Sequence, residues 1–206
     1  MLFENITDLI AFTALHFNYI PLTNFKKIKM IIISQGMYYI QKMSVSHKLY
    51  VTPNELLRDS YKLGKMIHES GFQPTFIVGI WRGGSPIGIA VQEFLKYKGH
   101  KTGYISGGNY QEIREGDSLL IIDDIFDSGS SVKAVIDKLT EGMLLNIQVA
   151  ALYYKPQDNK NGLVPTYFVH STDKFVVFPH QFEYINVEEI RLRKGDEIAE
   201  IFDFLI

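Results

Sequence analysis

The chain has no cysteine in its 206 residues, which excludes disulfides, thiolate metal sites and a cysteine nucleophile. A sequence free of thiols suits a reducing compartment, so cytoplasmic residence is expected. Charge of one sign is equally lacking: 21 Lys and Arg stand against 23 Asp and Glu, a formal net charge of −2. Such a balance provides no basic stripe to attract nucleic acid or an anionic membrane, and neither partner is expected. Repeats, low-complexity tracts and Pro/Ser-rich linkers are absent, as are Walker A and nucleophile-elbow patterns. The six histidines show no metal-ligand spacing and take no catalytic role in this reading. Long hydrophobic runs are missing too. The uncharged stretch between Asp8 and Lys26 falls short of a bilayer span and is interrupted by His16, Asn18 and Pro21. Glu4 and Asp8 stand where a signal peptide requires basic residues.

Composition on the positive side is that of a globular protein, 46% apolar with 21% charged, long enough for one domain with a real core. Residues 1–42 read as an N-terminal extension of unknown role, apolar and aromatic, with Met43 a candidate start of the domain that runs over 43–206. From there the pattern becomes regular. Thr52, Pro53 and Glu55 form a capping box with proline at the first helical position, and Gly71 closes that helix. "TFIVGIW" (75–81) predicts a strand, "SPIGIAVQEFLKYKG" a helix entered by Ser85 and Pro86, and "KTGYIS" (101–106) a strand. "SLLIIDD" (118–124) is the most uniformly apolar strand, followed by the helix "SSVKAVIDKLTEG" and the strand "NIQVAALYY" (146–154). "TYFVH" and "KFVVFP" predict two further short strands, and parts of the C-terminal tail read as helix. Apolar strands alternating with helices predict an α/β fold, a mostly parallel sheet flanked by helices with a small C-terminal region.

The chemistry concentrates in "LLIIDDIFDSGSS" (119–131). In an open α/β sheet ligands collect beyond the carboxyl ends of the strands. Asp123 and Asp124 fall at that edge, where their carboxylates suit sugar hydroxyls or a metal. A helix start near Ser130 offers N–H groups and the positive end of a dipole to an anion. Gly129 lets the backbone come close, and Ser128, Ser130 and Ser131 add hydroxyl donors. A sugar phosphate needs both kinds of group at once. A second anion nest is expected at Arg82, Gly83 and Gly84, where two glycines follow a strand and the arginine offers a fork for phosphate oxygens.

The first stretch resembles the signature of the type I phosphoribosyltransferases: two acids, two variable residues, an acid and a hydroxyl–Gly–x–hydroxyl loop after an apolar strand. "WRGG" is similar to the pyrophosphate loop of the bacterial xanthine–guanine members, in which the peptide before the arginine is often cis. A cis bond is therefore expected between Trp81 and Arg82. The resemblance implies that the ligand is phosphoribosyl pyrophosphate. Asp123 and Asp124 would hold the ribose hydroxyls, partly through Mg2+, while 127–131 wrap the 5′-phosphate and Asp127 handles the proton at purine N7. It further implies that Lys155 donates to a purine O6, that Phe175 stacks on the base and that the Val176 backbone reads its edge. Serines at 128 and 131 stand where the family usually has threonines, and Phe175 where it often has tryptophan. The loop 106–115 falls where the family carries a hood over the site, and many relatives are dimers or tetramers. The implied activity is Mg2+-dependent purine phosphoribosyl transfer to a 6-oxopurine, in purine salvage.

Acid pairs after strands also occur in receiver domains and in phosphatases of the haloacid dehalogenase type. A pyrimidine acceptor and a non-catalytic sensor of phosphoribosyl pyrophosphate are the nearer rivals. Lys155 argues against adenine, which has no 6-oxo group, and intact Arg82 and Asp127 lean against the sensor.

Overall fold

Leu119, Leu120, Ile121 and Ile122 are fully buried, because their strand lies at the centre of a parallel sheet with helices on both faces. The computed structural model describes residues 48–106, 108–140, 144–183 and 185–203. The extension 1–42, the candidate start at Met43 and the N-terminal boundary drawn there lie outside the described residues. Chain order is β1 (Lys48–Tyr50), α1 (Pro53–Glu69), β2 (Phe76–Gly79), α2 (Gly84–Tyr97), β3 (Gly103–Ser106), β4 (Ser118–Phe126), α3 (Ser130–Leu139), β5 (Asn146–Tyr154), β6 (Tyr167–Ser171), β7 (Phe175–Val177), α4 (Val187–Lys194) and α5 (Asp196–Asp203).

Five strands pair in the order β3-β2-β4-β5-β6, every neighbour parallel. On one face α1 and α2 bring Leu63, Ile67, Ile87 and Val91 against Leu120 and Ile122. On the other, α3 brings Val132 and Leu139 against Leu119 and Ile121. Truncating a fully buried leucine such as Leu120 would cost about 3 kcal/mol, the transfer loss plus the cavity. A second sheet has two parallel strands, β1 and β7, with Lys48 opposite Phe175. Glu189 on α4 fastens this sheet, accepting from Lys48 Nζ at 2.8 Å and from the Tyr50 hydroxyl.

The capping box opens α1 as predicted: Glu55 N–H donates to Thr52 Oγ1 at 3.2 Å and Thr52 N–H donates to Glu55 Oε2 at 2.9 Å. Behind it, Asp59 is buried yet fully partnered, by Arg58, Lys62 and His170 Nε2, the last at 2.8 Å. Burial alone would raise its carboxyl, but these donors outweigh it and hold Asp59 well below the usual range. The histidine sits on β6, so the contact ties α1 to the sheet edge.

Several element ends shift, among them that of β2, which stops at Gly79 rather than Trp81. Strand β4 continues to Phe126 rather than stopping at Asp124, because β5 keeps pairing with it through Ile125 and Phe126. Helix α2 begins at Gly84, ahead of Ser85 and Pro86, since Gly84 N–H donates to Ile80 O at 2.9 Å and starts the turn.

Candidate active site

Pairing between β2 and β4 ends at Gly79 and Ile122, with one further bond from Ile80 N–H to Ile122 O at 2.9 Å. Beyond it the two chains part. From β2 the chain runs through α2 to β3 on one side; from β4 it runs through α3 to β5 on the other. This reversal opens a crevice at the carboxyl ends of the strands, where ligand sites form in open α/β sheets. A cleft of about 660 Å3 occupies it. Of the sequence-predicted residues, Arg82, Gly83, Asp123, Asp124, Asp127, Ser131 and Phe175 line that cleft.

Both glycines of the first loop are required by space. A Cβ on Gly83 would lie 2.1 Å from Asp124 Oδ2, and one on Gly84 would lie 2.1 Å from the Ile122 carbonyl oxygen. The loop therefore lies flat against the end of β4, with Asp124 beneath it. The Trp81–Arg82 peptide is cis, as the sequence led us to expect. Arg82 is exposed, with NH2 3.8 Å from Glu183 Oε2, an ion pair that water screens and that leaves the guanidinium available.

The acids crowd together. Asp124 is buried, and its Oδ1 accepts the Ile125 N–H at 2.9 Å. Asp123 Oδ1 accepts the Asp124 N–H at 3.0 Å. Burial, and after it the charge of Asp124, pushes the Asp123 carboxyl well above the ordinary carboxylate value, with Asp127 adding in the same direction. Such a group gains from a cation, and its hard oxygen donors suit Mg2+. Among the described residues no set of three or more His, Cys, Asp or Glu is arranged to cage a metal. The donors fit an ion held by one or two carboxylates and completed by water and substrate oxygens, the usual manner for Mg2+.

The second loop turns through Gly129, whose φ of +71° favours glycine, and α3 starts at Ser130. Two of its N–H groups are engaged within the loop: Ser128 N–H donates to Asp127 Oδ1, and Ser130 N–H donates to Ser128 Oγ at 3.3 Å. Side-chain oxygens thus occupy donors that the sequence reading assigned to a phosphate. Asn161 braces the loop from outside, its Nδ2 donating to Ser128 O at 3.1 Å.

Other predicted residues fall elsewhere. Lys155 follows β5 directly, its N–H donating to Phe126 O at 2.8 Å, but its ammonium pairs with Asp158 and it does not line the cleft. Val176 is buried in β7, while Phe175 at the start of that strand is 45% exposed. In the loop 106–115, Gly107 lies outside the described residues; of the others Ile113 is buried and none lines the cleft.

Sequence reasoning missed the wall formed by His180, Gln181, Phe182 and Glu183. His180 stacks on Phe178 with centroids 5.7 Å apart and places Nε2 3.7 Å from Asp124 Oδ2. It has no partner at a fixed sequence spacing, so no motif marks it. Asn161 was missed as well, since "DNKNG" reads simply as a turn.

The comparisons with known proteins agree with this geometry. A family model described as phosphoribosyl transferase domain matches residues 51–185. A search of curated protein sequences finds no match. Among solved structures, a purine phosphoribosyltransferase from Pyrococcus horikoshii superposes with a TM-score of 0.55 at 23% identity, over 68% of this chain and 99% of that one. A Neisseria gonorrhoeae protein with bound ppGpp gives 0.55 at 17% identity, over 72% and 96%. The xanthine–guanine–hypoxanthine phosphoribosyltransferase of Helicobacter pylori gives 0.52 at 21% identity, over 64% and 90%. At these identities the likeness is one of fold. The family model covers most of the described residues, and with it the parallel sheet, the acidic strand end and both glycine-bearing loops find one common account: the chain belongs to the phosphoribosyl transferase domain family.

Proposed function

We propose that the protein transfers ribose 5-phosphate from phosphoribosyl pyrophosphate to a 6-oxopurine (hypoxanthine, guanine or xanthine), releasing pyrophosphate, as a step of purine salvage. The observation that carries this reading is the shared cleft: Asp123, Asp124, Asp127 and Ser131 line one cavity of about 660 Å3 together with Arg82 and Gly83. One wall suits a ribose 5-phosphate and the other a pyrophosphate. The purine enzymes of P. horikoshii and H. pylori share the fold and lend support.

In the proposed reaction the C1–O bond of the ribose breaks as the purine nitrogen approaches. Positive charge grows on the ring, as in glycoside cleavage, and negative charge grows on the departing pyrophosphate. Asp123 and Asp124 hold the ribose hydroxyls and lie close enough to tolerate the ring charge. Arg82 and the 82–84 backbone take the leaving group. Mg2+ held by Asp123 and Asp124 would neutralise charge on the pyrophosphate. Asp127 would take the proton at purine N7 after leaving the Ser128 N–H it now accepts from. Phe175, exposed at the mouth, offers a face for the base.

The test is pyrophosphate release with a panel of bases. Turnover with hypoxanthine, guanine or xanthine and none with adenine or uracil is the expected pattern; no release with any base would refute the reading. A second reading, the same transfer to a different base, is favoured by Lys155. Its pairing with Asp158 and its absence from the cleft wall leave the supposed O6 donor out of reach until it changes partner. Preference for a base without a 6-oxo group in the same panel selects this alternative.

A further inference from the structure

We propose that Asn161 is a positioning residue for the 5′-phosphate loop, and that it works by fixing one peptide plane, Ser128–Gly129. Lying on the proposed function, this assigns a role to a segment that neither the motifs nor the cleft includes.

Two donors converge on one oxygen. Asn161 Nδ2 reaches Ser128 O at 3.1 Å, and the Lys160 N–H reaches the same oxygen at 3.3 Å. The Asn161 amide also lies 3.5 Å from Ser130 Oγ. In a trans peptide the C=O and the following N–H point in opposite directions. Pulling the Ser128 carbonyl toward the 159–161 segment therefore turns the Gly129 N–H the other way, to the side where Asp123, Asp127, Gly129 and Ser131 enclose a small hollow. Glycine makes this control necessary. With φ of +71° Gly129 adopts a conformation that few residues tolerate, and a glycine would accept the flipped plane almost as readily. Within the loop a 3.3 Å bond from the Ser130 N–H to Ser128 Oγ spans this peptide; the outside donors act on its carbonyl directly.

The brace is itself held. Asn161 N–H donates to Asn159 Oδ1 at 3.2 Å, and Asn159 Nδ2 donates to Leu163 O at 2.6 Å and to the Tyr154 hydroxyl at 3.3 Å. At its near end the Lys155 N–H donates to Phe126 O at 2.8 Å. The segment after β5 is thus anchored to the end of β4 on one side and to the loop of α3 on the other. A net of local hydrogen bonds of this kind places a donor within a few tenths of an ångström, the accuracy a phosphate site demands.

The test compares two affinities. GMP and guanosine share base and ribose, and only GMP carries the 5′-phosphate. In Asn161→Ala, and in the isosteric Asn161→Asp, GMP binding should weaken about 10-fold, the size of one lost charge-assisted hydrogen bond, with guanosine unchanged. Equal weakening of both ligands, or wild-type affinity in Asn161→Asp, would overturn the proposal. Hydrogen exchange of the 127–132 backbone in the unliganded protein gives an independent readout. It should quicken in both variants while the 81–85 backbone stays as in the wild type; no change at 127–132 would also overturn it. If the wild type binds none of GMP, IMP and XMP, the proposed function fails, and the exchange arm still decides whether Asn161 fixes the loop; where IMP or XMP binds instead, the same comparison is made with its nucleoside.

Discussion

The two loops that meet across the cleft follow neighbouring strands, and both end in a glycine-assisted helix start, yet they are held by opposite means. The first, after β2, is held by contact: its glycines leave room for Asp124 and for the Ile122 carbonyl, and any Cβ would collide at 2.1 Å. The second, after β4, is held by hydrogen bonds, from Asn161 and Lys160 onto Ser128 O, and its glycine is required first by conformation and only then by crowding. A Cβ on Gly129 would also lie 2.9 Å from the buried Phe126 ring, a looser contact than the 2.1 Å of the first loop. The lesson is that a glycine in a loop at a strand end can serve a neighbour or serve its own backbone, and substitution separates the two.

The largest effect is expected at Asp127, the acid nearest the proposed proton transfer. Asp127→Asn should lower kcat by about 10²- to 10⁴-fold, the range for loss of a general acid or base, with binding of phosphoribosyl pyrophosphate retained. Unchanged turnover removes Asp127 from the mechanism. Next come the glycines. Gly83→Ala must displace Asp124, so kcat/KM should fall about 100-fold, as for a misplaced catalytic group. Gly129→Ala meets roughly 1–2 kcal/mol of left-handed strain and a looser contact with the Phe126 ring, and a loss of about 10-fold is expected. Equal losses in the two variants would erase the distinction between the loops.

A smaller effect concerns the base side. Lys155→Met should raise the KM for hypoxanthine or guanine about 10-fold, one hydrogen bond to a charged donor, and leave that for phosphoribosyl pyrophosphate alone. A rise in both would place Lys155 with the phosphates. The smallest is a gain. Asp123 binds its proton more tightly folded than unfolded, so its carboxyl stabilises the fold at low pH and loses that contribution as pH rises from the ordinary 3.8 through its raised folded value. Above that window Asp123→Asn should therefore make the unliganded protein more stable by about 1 kcal/mol, since a crowded charge is gone. Urea midpoints of variant and wild type over a rising pH series measure this, and a variant that is less stable at the alkaline end would contradict the crowding.

Much of this was legible in the sequence. The capping box at Thr52, the strand 146–154 and the apolar run before Asp123 each carry a local signal, in side-chain chemistry or in uninterrupted hydrophobicity, and the structure agrees with all three. The acids of β4 and the Arg82–Gly84 loop were legible because spacing along one segment fixes them. What was hidden depends on contacts between distant segments. The wall at His180 exists because the chain after β7 returns to Asp124, 56 positions from it in sequence by the residue numbers. Asn161 meets Ser128 only because β5 lies beside β4. The end of β4 was misplaced for the same reason: Ile125 and Phe126 extend the strand because a partner strand is there to pair with them.

The central claim is that the acidic end of β4 and the loop after it receive an activated pentose phosphate. Calorimetric titration of phosphoribosyl pyrophosphate with Mg2+ into the wild type and into an Asp123→Asn, Asp124→Asn double variant tests it most directly. Saturable single-site binding in the wild type, lost in the double variant, is the predicted result. Absence of binding in the wild type, or undiminished binding in the double variant, would contradict it.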